Sequence, residues 1–366
     1  MTRSRDLGVP LPGRTGEHNA LTDVPGVEVG FTTLVEGESV RTGVTAVLPR
    51  GREDFAVPCA AGTYALNGNG EMTGTAWLAE TGSLTLPVLI TSTHAVGACH
   101  RGTIDWVVRE RPDVAAEWLL PVVAETWDGY LNDSTAPTVH SGHAVAAIDA
   151  AQAGPVSEGS VGGGTGMTCY GFKGGTGTSS RVVSYGDDEY TVGVLVQANF
   201  GSRRELTVAG EHVGAELGAD NPMEESWTAP SGAGSVIVIV GTDAPLLPGQ
   251  CTSLTRRVPL GLARTGTAGS HFSGDLFLAF STANPGALTS RFPRTDEAEY
   301  ESLRFVPWGR LDPFFEAVVQ ATEEAVLNAL FSNEEMTGHR GRRVPALPTE
   351  RWRGSRLGSW GGGGGG

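Results

Sequence analysis

The fold is decided by one stretch, SGAGSVIVIVGTDAPLLPG, which spans Ser231 to Gly249. Its centre, Val236 to Val240, is an unbroken run of β-branched residues with Gly234 and Gly241 on either side. Such a run is too short for a core helix, and it lacks the alternation of a strand with one solvated face. Continuous apolar runs are typical of strands that are buried on both faces. We therefore predict a buried strand here.

Ser235 lies at the mouth of this strand, directly after Gly234, which can adopt backbone angles forbidden to other residues. A hydroxyl held there can attack the carbonyl of Gly234, shift the acyl group from nitrogen to oxygen and leave an ester for water. The product is a serine with a free α-amine of pKa about 7.7–8.0. This amine is suited to act as general base for its own hydroxyl. The motif is short, and a plain Gly-Ser pair ahead of a core strand is the alternative.

The composition describes an acidic, glycine-rich chain of 366 residues with a net charge of −15. Its 53 glycines are spread between apolar runs without a repeat, which predicts many strands joined by tight turns. A nucleic-acid partner is disfavoured because it requires a basic surface. No apolar run reaches the roughly 18 residues of a membrane span, and the first 20 residues lack a signal-peptide pattern. The expected location is the cytoplasm.

Cysteine and histidine spacing predicts no metal site, and no cofactor is signalled. The four cysteines lack CxxC spacing and are expected to be reduced thiols: Cys59, Cys99, Cys169 and Cys251. We expect His94 and His100 on either side of a glycine turn, and His140 and His143 at the start of a helix. None of these histidines has a further ligand nearby at zinc spacing.

Strands and helices are predicted to alternate along the chain. The predicted strands are Val27–Phe31, Thr45–Leu48, Val88–Ile90, Leu119–Ala124, Tyr190–Val196 and Asp275–Ser281. The predicted helices are Thr103–Arg109, Ser141–Ala153, Leu246–Ala263 and Phe314–Leu330. Polar residues follow two strand ends, at Glu125–Asp133 and Gln197–Arg204, where α/β proteins commonly place chemistry. Residues 210–233 resemble a linker.

A glycine-rich stretch from Gly162 to Gly177 fits neither the GxxxxGK[ST] nor the GxGxxG phosphate-binding pattern. It contains Lys173, the only lysine of the chain. A lone lysine among arginines suits a role that needs a compact ammonium group, and drift explains a single residue equally well.

Nine stretches, in order, resemble the DmpA / β-peptidyl aminopeptidase family of self-cleaving N-terminal-serine hydrolases. They are TDVPGV from Thr22, NGNGEMTG, ETWDGYLND, GTGM, GFKGGTGTSSR, QANFG, GSVIVIVGTDAPLLP, SGDLFLAFSTANP and AVLNALF. The resemblance implies an α/β fold, a four-layer αββα sandwich, with autocleavage between Gly234 and Ser235. It implies one catalytic domain made of an α-fragment, 1–234, and a β-fragment, 235–360. Residues 361–366 form a glycine tail that we expect to be disordered.

Residue by residue, the resemblance assigns the nucleophile to Ser235. Ser273 and Asp275 match the serine and the acidic residue that support it, and some members of the family have glutamate at the second position. Asn199 matches the amide that donates to the oxyanion, a role worth about 10²–10³ in rate.

Glu125 matches the carboxylate that holds the free amino group of the substrate. Trp127 stands where members can have tyrosine, and an indole donates a hydrogen bond but cannot accept or transfer a proton. Tyr130, close in the sequence, is the candidate to supply a phenol instead.

The resemblance therefore implies an aminopeptidase or amidase that removes N-terminal amino acids, including D- or β-amino acids, from small peptides, amides or esters. It further implies a homo-oligomer of processed fragment pairs. An acyltransferase related to the ornithine acetyltransferases is one alternative, although those enzymes use an N-terminal threonine. An uncleaved, non-catalytic oligomer is the other.

Overall fold

The apolar run Val236–Val240 lies within a strand, Gly234–Thr242, inside a six-stranded sheet. The structure is a computed structural model that describes residues 2–225, 234–293 and 295–352. Every residue from Ser235 to Thr242 is buried, because protein covers both faces of this sheet. The predicted strand is confirmed, and it extends two residues further at each end.

The strands form two principal sheets. In chain order they are β1 (Glu28–Glu36), β2 (Val40–Leu48), β3 (Cys59–Gly68), β4 (Ser83–Leu84), β5 (Val88–Ser92), β6 (Val122–Thr126), β7 (Thr168–Cys169), β8 (Phe172–Lys173), β9 (Gly175–Tyr185), β10 (Asp188–Asn199), β11 (Thr207–Val208), β12 (Glu211–His212), β13 (Gly234–Thr242), β14 (Ser273–Ser281), β15 (Met336–Thr337) and β16 (Arg343–Val344). One sheet has the order β1-β2-β5-β6, and the other has the order β4-β3-β14-β13-β10-β9. Strand β13 runs parallel to β14 and antiparallel to β10.

Helices cover the outer face of each sheet. In chain order, the helices of the described residues are α1 (Thr75–Thr81), α2 (Val96–Glu110), α3 (Ser141–Asp149), α4 (Pro222–Glu225), α5 (Pro248–Thr255), α6 (Val258–Arg264) and α7 (Asp312–Phe331). Helices α2 and α3 share a core with the four-stranded sheet, centred on Trp106. Helices α5, α6 and α7 pack on the other sheet, where Val326 and Val238 belong to one core. A third core, with Ile90 and Ile237, lies between the sheets. The four-layer αββα sandwich is therefore confirmed.

Helix α7 is buried along most of its length, whereas the sequence predicted a single apolar stripe. Its polar side chains are satisfied by other parts of the chain. Glu324 forms ion pairs with Arg5 at 2.8 Å and Arg181 at 2.7 Å, and Asn328 accepts a hydrogen bond from the hydroxyl of Ser4 at 2.7 Å. The N-terminal segment therefore covers a face of α7 that would otherwise meet solvent.

The structure corrects two local predictions and adds detail to a third. His94 and His100 do not flank a glycine turn, because α2 begins at Val96 and runs through the glycine between them. Asn199 is the last residue of β10 rather than part of the loop after it. The helix predicted within Leu246–Ala263 is present as α5, and a second helix, α6, begins in the same stretch and ends at Arg264.

Part of the predicted linker, residues 210–225, contains β12 and α4. The remainder, residues 226–233, and the glycine tail, residues 361–366, lie outside the described residues. Within the described ranges, no helix is both long and apolar enough to span a bilayer.

Candidate active site

A pocket of about 550 Å³ opens where β13 begins. It brings together five of the residues singled out from the sequence: Glu125, Trp127, Asn199, Gly234 and Ser235. The same pocket is lined by Tyr130, the candidate phenol. Ser273 and Asp275 do not line it; together with Val236 they line a second cavity, of about 220 Å³. The seven predicted site residues are thus divided between two adjoining cavities.

Ser235 is held against the bond that it is predicted to cleave. Its hydroxyl donates a hydrogen bond to the carbonyl oxygen of Gly234 at 2.7 Å, and the residue is only 3% exposed. A β-carbon at position 234 would lie 2.0 Å from the backbone oxygen of Asn199. Only glycine fits at this position without a shift of the backbone. The hydroxyl and its target carbonyl are therefore in contact at the start of a buried strand.

Ser273 and Asp275 form a hydrogen-bonded pair beside Ser235. The Ser273 hydroxyl donates to Asp275 Oδ1 at 2.5 Å, and Asn67 Nδ2 donates to Asp275 Oδ2 at 2.8 Å. Burial raises the pKa of Asp275, while hydrogen bonds from Ser273, Asn67 and the Val236 backbone act in the opposite direction.

The strand register places this pair on either side of the nucleophile. Ser273 is level with Gly234, and Asp275 is level with Val236. Among residues 2–225, 234–293 and 295–352, no hydrogen bond joins either side chain to Ser235. Ser273 and Asp275 therefore lie close to Ser235 on the neighbouring strand β14, without a hydrogen bond from their side chains to it in the described ranges.

The side-chain amide of Asn199 is fixed at both ends. Its Oδ1 accepts a hydrogen bond from the backbone N–H of Thr168 at 2.9 Å, and its Nδ2 donates to the carbonyl oxygen of Trp127 at 3.0 Å. These two partners determine which end of the amide carries the nitrogen. An amide nitrogen has two hydrogens, and the second has no acceptor in the part of the chain that the structure describes. This hydrogen is available to a ligand in the pocket.

Glu125 is a buried carboxylate in the wall of the pocket, only 2% exposed. Its Oε1 accepts a hydrogen bond from the backbone N–H of Glu71 at 2.9 Å, and the Thr93 hydroxyl donates to its Oε2. Burial raises the pKa of Glu125, and these hydrogen bonds act in the opposite direction. A cation bound beside Glu125 would compensate the buried charge.

The apolar side of the pocket contains Trp127, Tyr130 and Met223. Tyr130 is buried, its hydroxyl lies 3.5 Å from the carbonyl oxygen of Pro222, and the Arg342 guanidinium lies 5.1 Å from the ring centre. The phenol is thus present in the pocket, three residues after Trp127. No group of three or more His, Cys, Asp or Glu residues in the described ranges is arranged to hold a metal ion.

Sequence reasoning missed four residues that hold the site: Asn67, Glu71, Thr93 and Thr168. Two of them act through the backbone N–H, which every residue except proline possesses, so their side chains gave no signal. Asn67 lies in the polar NGNG loop, and Thr93 follows the end of β5. Polar residues in a loop or directly after a strand were the signal from which Asn67 and Thr93 could have been found.

A comparison with known proteins identifies the family. The chain matches Peptidase family S58 over residues 19–344. The chain belongs to peptidase family S58. Among curated proteins, this S58 peptidase is 47% identical over 363 residues to the beta-peptidyl aminopeptidase BapA of Sphingosinicella microcystinivorans, with 94% of this chain and 89% of the relative covered.

Solved structures agree with this S58 assignment. A Burkholderia sp. beta-aminopeptidase has a TM-score of 0.88 and 44% identity, with 96% of this chain and 97% of that chain covered. The L-aminopeptidase D-Ala-esterase/amidase of Ochrobactrum anthropi, a prototype for the serine aminopeptidases with a variant of the Ntn hydrolase fold, has a TM-score of 0.89 and 43% identity, with the same coverage. The predicted resemblance and fold class are confirmed.

Proposed function

We propose that this S58 peptidase is a self-processing aminopeptidase whose nucleophile is Ser235. The observation that carries the proposal is the 2.7 Å contact between the Ser235 hydroxyl and the Gly234 carbonyl oxygen, in a pocket that also contains the buried carboxylate of Glu125. The contact supports cleavage of the chain. The carboxylate supports recognition of a substrate amino group.

The first reaction is processing of the chain itself. Ser235 Oγ attacks the carbonyl carbon of Gly234 and loses its proton, and the C–N bond then breaks as the nitrogen of Ser235 takes up a proton. Water hydrolyses the resulting ester, which leaves a carboxylate on Gly234 and restores the hydroxyl of Ser235. The freed α-amine of Ser235 becomes the general base, a role that suits α-amines because their ordinary pKa is about 7.7–8.0.

The second reaction is turnover of substrate. The substrate ammonium group binds Glu125, which places the acyl carbonyl carbon next to Ser235 Oγ. The α-amine of Ser235 accepts the hydroxyl proton and passes it to the leaving amine or alcohol. The second N–H of Asn199 donates to the oxyanion, a contribution of about 10²–10³ in rate. Water then hydrolyses the acyl-enzyme.

Ser273 and Asp275 support this cycle electrostatically. A negative charge on Asp275 stabilises the ammonium form that the Ser235 amine adopts after it accepts a proton. The Ser273 hydroxyl bonded to Asp275 Oδ1 at 2.5 Å favours the ionised form of that carboxylate and so opposes the effect of burial on its pKa. The pair thereby favours proton transfer in the forward direction.

The names of the relatives support a proposal for the substrate class of this S58 peptidase. They include beta-peptidyl aminopeptidases and an L-aminopeptidase with D-Ala esterase and amidase activity. We accordingly propose small peptides, amides or esters with a free amino group, including D- or β-amino acid derivatives, and a homo-oligomer of fragment pairs as the working form. Acyl transfer is not favoured, because the residue at the cleavage site is serine and the relatives are hydrolases.

A denaturing gel tests the processing step. The purified protein should separate into fragments 1–234 and 235–366, and amino-terminal sequencing of the second should begin at Ser235. Ser235→Ala should remain intact, whereas Ser281→Ala, a buried serine in the neighbouring strand β14, should be cleaved normally. A wild-type chain that stays intact on long incubation contradicts the mechanism.

A further inference from the structure

Lys173, the only lysine of the chain, is completely buried and binds only backbone. Its Nζ donates to the carbonyl oxygens of Gly174 at 2.7 Å, Met167 at 2.9 Å and Gly164 at 3.4 Å. In the described ranges, no carboxylate lies within salt-bridge distance of it. The three bonds draw together the carbonyl groups of the Gly164–Met167 turn and that of Gly174, which lies between β8 and β9.

Placing an ammonium group here is energetically unfavourable unless its hydrogen bonds compensate. Burial lowers the pKa of Lys173 to about 7. The carbonyl oxygens act in the opposite direction, because only the ammonium form can donate three hydrogen bonds. An apolar side chain of similar length would fill the space without the loss of hydration. What a lysine provides here, and an apolar side chain cannot, is the set of three hydrogen bonds to backbone carbonyl groups.

The turn Gly164–Met167 has two further anchors at Met167. The Thr126 hydroxyl donates to Met167 Sδ at 2.9 Å, and the N–H of Gly174 donates to the Met167 carbonyl oxygen at 2.9 Å. A β-carbon at Gly164 would lie 2.4 Å from the backbone nitrogen of Thr176, and one at Gly166 would lie 2.2 Å from the backbone oxygen of Arg41. The turn is packed so closely that glycines are required, and glycines have no side chain to anchor. At its glycines the turn can be attached only through backbone groups, and Lys173 is the side chain that binds the carbonyl oxygens of both Gly164 and Met167.

This turn leads directly into the active site. Gly166 and Thr168 line the catalytic pocket, and the N–H of Thr168 donates to Asn199 Oδ1 at 2.9 Å. Thr168 follows Met167, whose carbonyl oxygen Lys173 holds. A displacement of Met167 would move the N–H that fixes the orientation of the Asn199 amide.

We propose that Lys173 is a positioning residue for the oxyanion donor, acting through the Gly164–Met167 turn and the N–H of Thr168 on Asn199. The proposal rests on the proposed role of Asn199. It predicts a specific kinetic effect. Glu125 is held by Thr93 and Glu71 rather than by this turn, so loss of the ammonium group lowers kcat and leaves KM nearly unchanged.

The primary test is Lys173→Met, with rates normalised to the processed fraction measured on a denaturing gel. We expect kcat to fall at least about tenfold, because small displacements of a catalytic group are costly, and KM to change less than about twofold. Asn333→Ala is the matched control. Asn333 Nδ2 donates to the carbonyl oxygens of Lys173 at 3.2 Å and Gly174 at 2.8 Å but to neither Gly164 nor Met167. Its kcat should stay within about twofold of wild type.

A double-mutant cycle separates positioning from general destabilisation. If Lys173 acts through Asn199, then adding Lys173→Met to Asn199→Ala should produce no further fall in kcat. Multiplicative losses overturn the inference and leave the role of Asn199 intact. If Asn199→Ala alone leaves kcat unchanged, the oxyanion role itself fails, and this inference fails with it.

A milder variant covers the case in which Lys173→Met does not fold. Lys173→Gln keeps two N–H donors but carries no charge, so its kcat should fall between that of the wild type and that of Asn199→Ala, at unchanged KM. A wild-type kcat in this variant, or a rise in KM equal to the fall in kcat, overturns the proposal.

Discussion

Asn199 and Ser235 lie directly opposite each other in the antiparallel register of β10 and β13. One is the last residue of its strand, and the other is the second residue of its own. The amide and the hydroxyl therefore share one edge of the sheet, and backbone pairing rather than a flexible loop sets the distance between them.

Gly234→Ala should slow processing severely. The added β-carbon would lie 2.0 Å from the backbone oxygen of Asn199, so either the strand pairing or the scissile bond must move. A time course on a denaturing gel should show processing at least about 100-fold slower than in the wild type, in line with the sensitivity of reactions to misplacement. Gly68→Ala is the control, because a β-carbon there meets nothing within 4 Å. Equal rates in both variants would refute the steric argument.

Glu125→Gln should raise KM for substrates with a free amino group by about 10- to 100-fold, since hydrogen bonds to charged groups are worth about 1.5–3 kcal/mol. Substrates with a blocked amine should be poor for the wild type and nearly unaffected by the change. Michaelis–Menten kinetics on paired free and acetylated anilides provide the measurement. An unchanged KM for the free amines would remove Glu125 from substrate binding.

The pH profile gives a separate check on Glu125. Only the carboxylate binds an ammonium group, and burial raises the pKa of Glu125, so kcat/KM should fall at a higher pH than an exposed glutamate would produce. The charge of the exposed Glu71 contributes to raising that pKa. Glu71→Gln should therefore move the acid limb of the kcat/KM profile to lower pH, without the rise in KM of about 10- to 100-fold that is expected of Glu125→Gln. A shift to higher pH would contradict this assignment.

Asp275→Asn should lower kcat by about 10²-fold or more, by analogy with the loss of an electrostatic stabiliser. Because the carboxylate favours the ammonium form of the Ser235 amine, its removal should also move the titration of that amine to lower pH. Asn67→Ala removes the 2.8 Å bond to Asp275 and a 3.0 Å bond to the Ser270 carbonyl oxygen but leaves the carboxylate in place. Its effect should be much smaller, about fivefold to tenfold. Equal losses in the two variants would mean that packing, rather than charge, is responsible.

Glu324→Gln should destabilise the protein by about 3–5 kcal/mol, because it leaves the buried guanidinium of Arg181 without its counter-charge. Burial opposes ionisation of Glu324, but Arg5 and Arg181 outweigh it and hold its pKa below the ordinary value. This stabilisation is present above the ordinary pKa and is lost as the pH falls through the lowered one. Urea unfolding at several pH values measures both effects.

Glu323→Gln, on the same helix, is the control for that experiment. Its ion pair with Arg264 joins a partner whose side chain is 45% exposed, so the expected change is about 0–1 kcal/mol. A comparable loss of stability in both variants would show that the buried ion pair of Glu324 stabilises the protein no more than the ion pair of Glu323 does.

The sequence predicted those parts of the structure that depend on side-chain type. Five β-branched residues in a row identified the central strand at Val236–Val240, and family resemblance named seven residues, of which five line the pocket at Ser235. Prediction failed where the local structure depends on contacts of backbone atoms. Gly97 suggested a turn but lies within α2. Gly102, in the same helix, permits close packing, since a β-carbon there would lie 2.5 Å from the backbone oxygen of Ser141.

Lys173 shows the same limit. Its uniqueness was visible in the sequence, but its partners are carbonyl groups, which every residue possesses. The burial of α7 was also underestimated, because two of the residues that bind its polar side chains, Ser4 and Arg5, lie more than 300 positions earlier in the chain.

The order of the six-stranded sheet has one more consequence. Strands β13 and β14, which follow the Gly234–Ser235 bond, are inserted between β10 and β3, which precede it. Cutting that bond would divide the polypeptide in two without loosening either piece, because each piece would supply the hydrogen-bonding edge that the other needs. The product would behave as an interlocked heterodimer whose two halves are encoded by one gene. The halves would copurify without a covalent link and would separate only when the sheet itself unfolds.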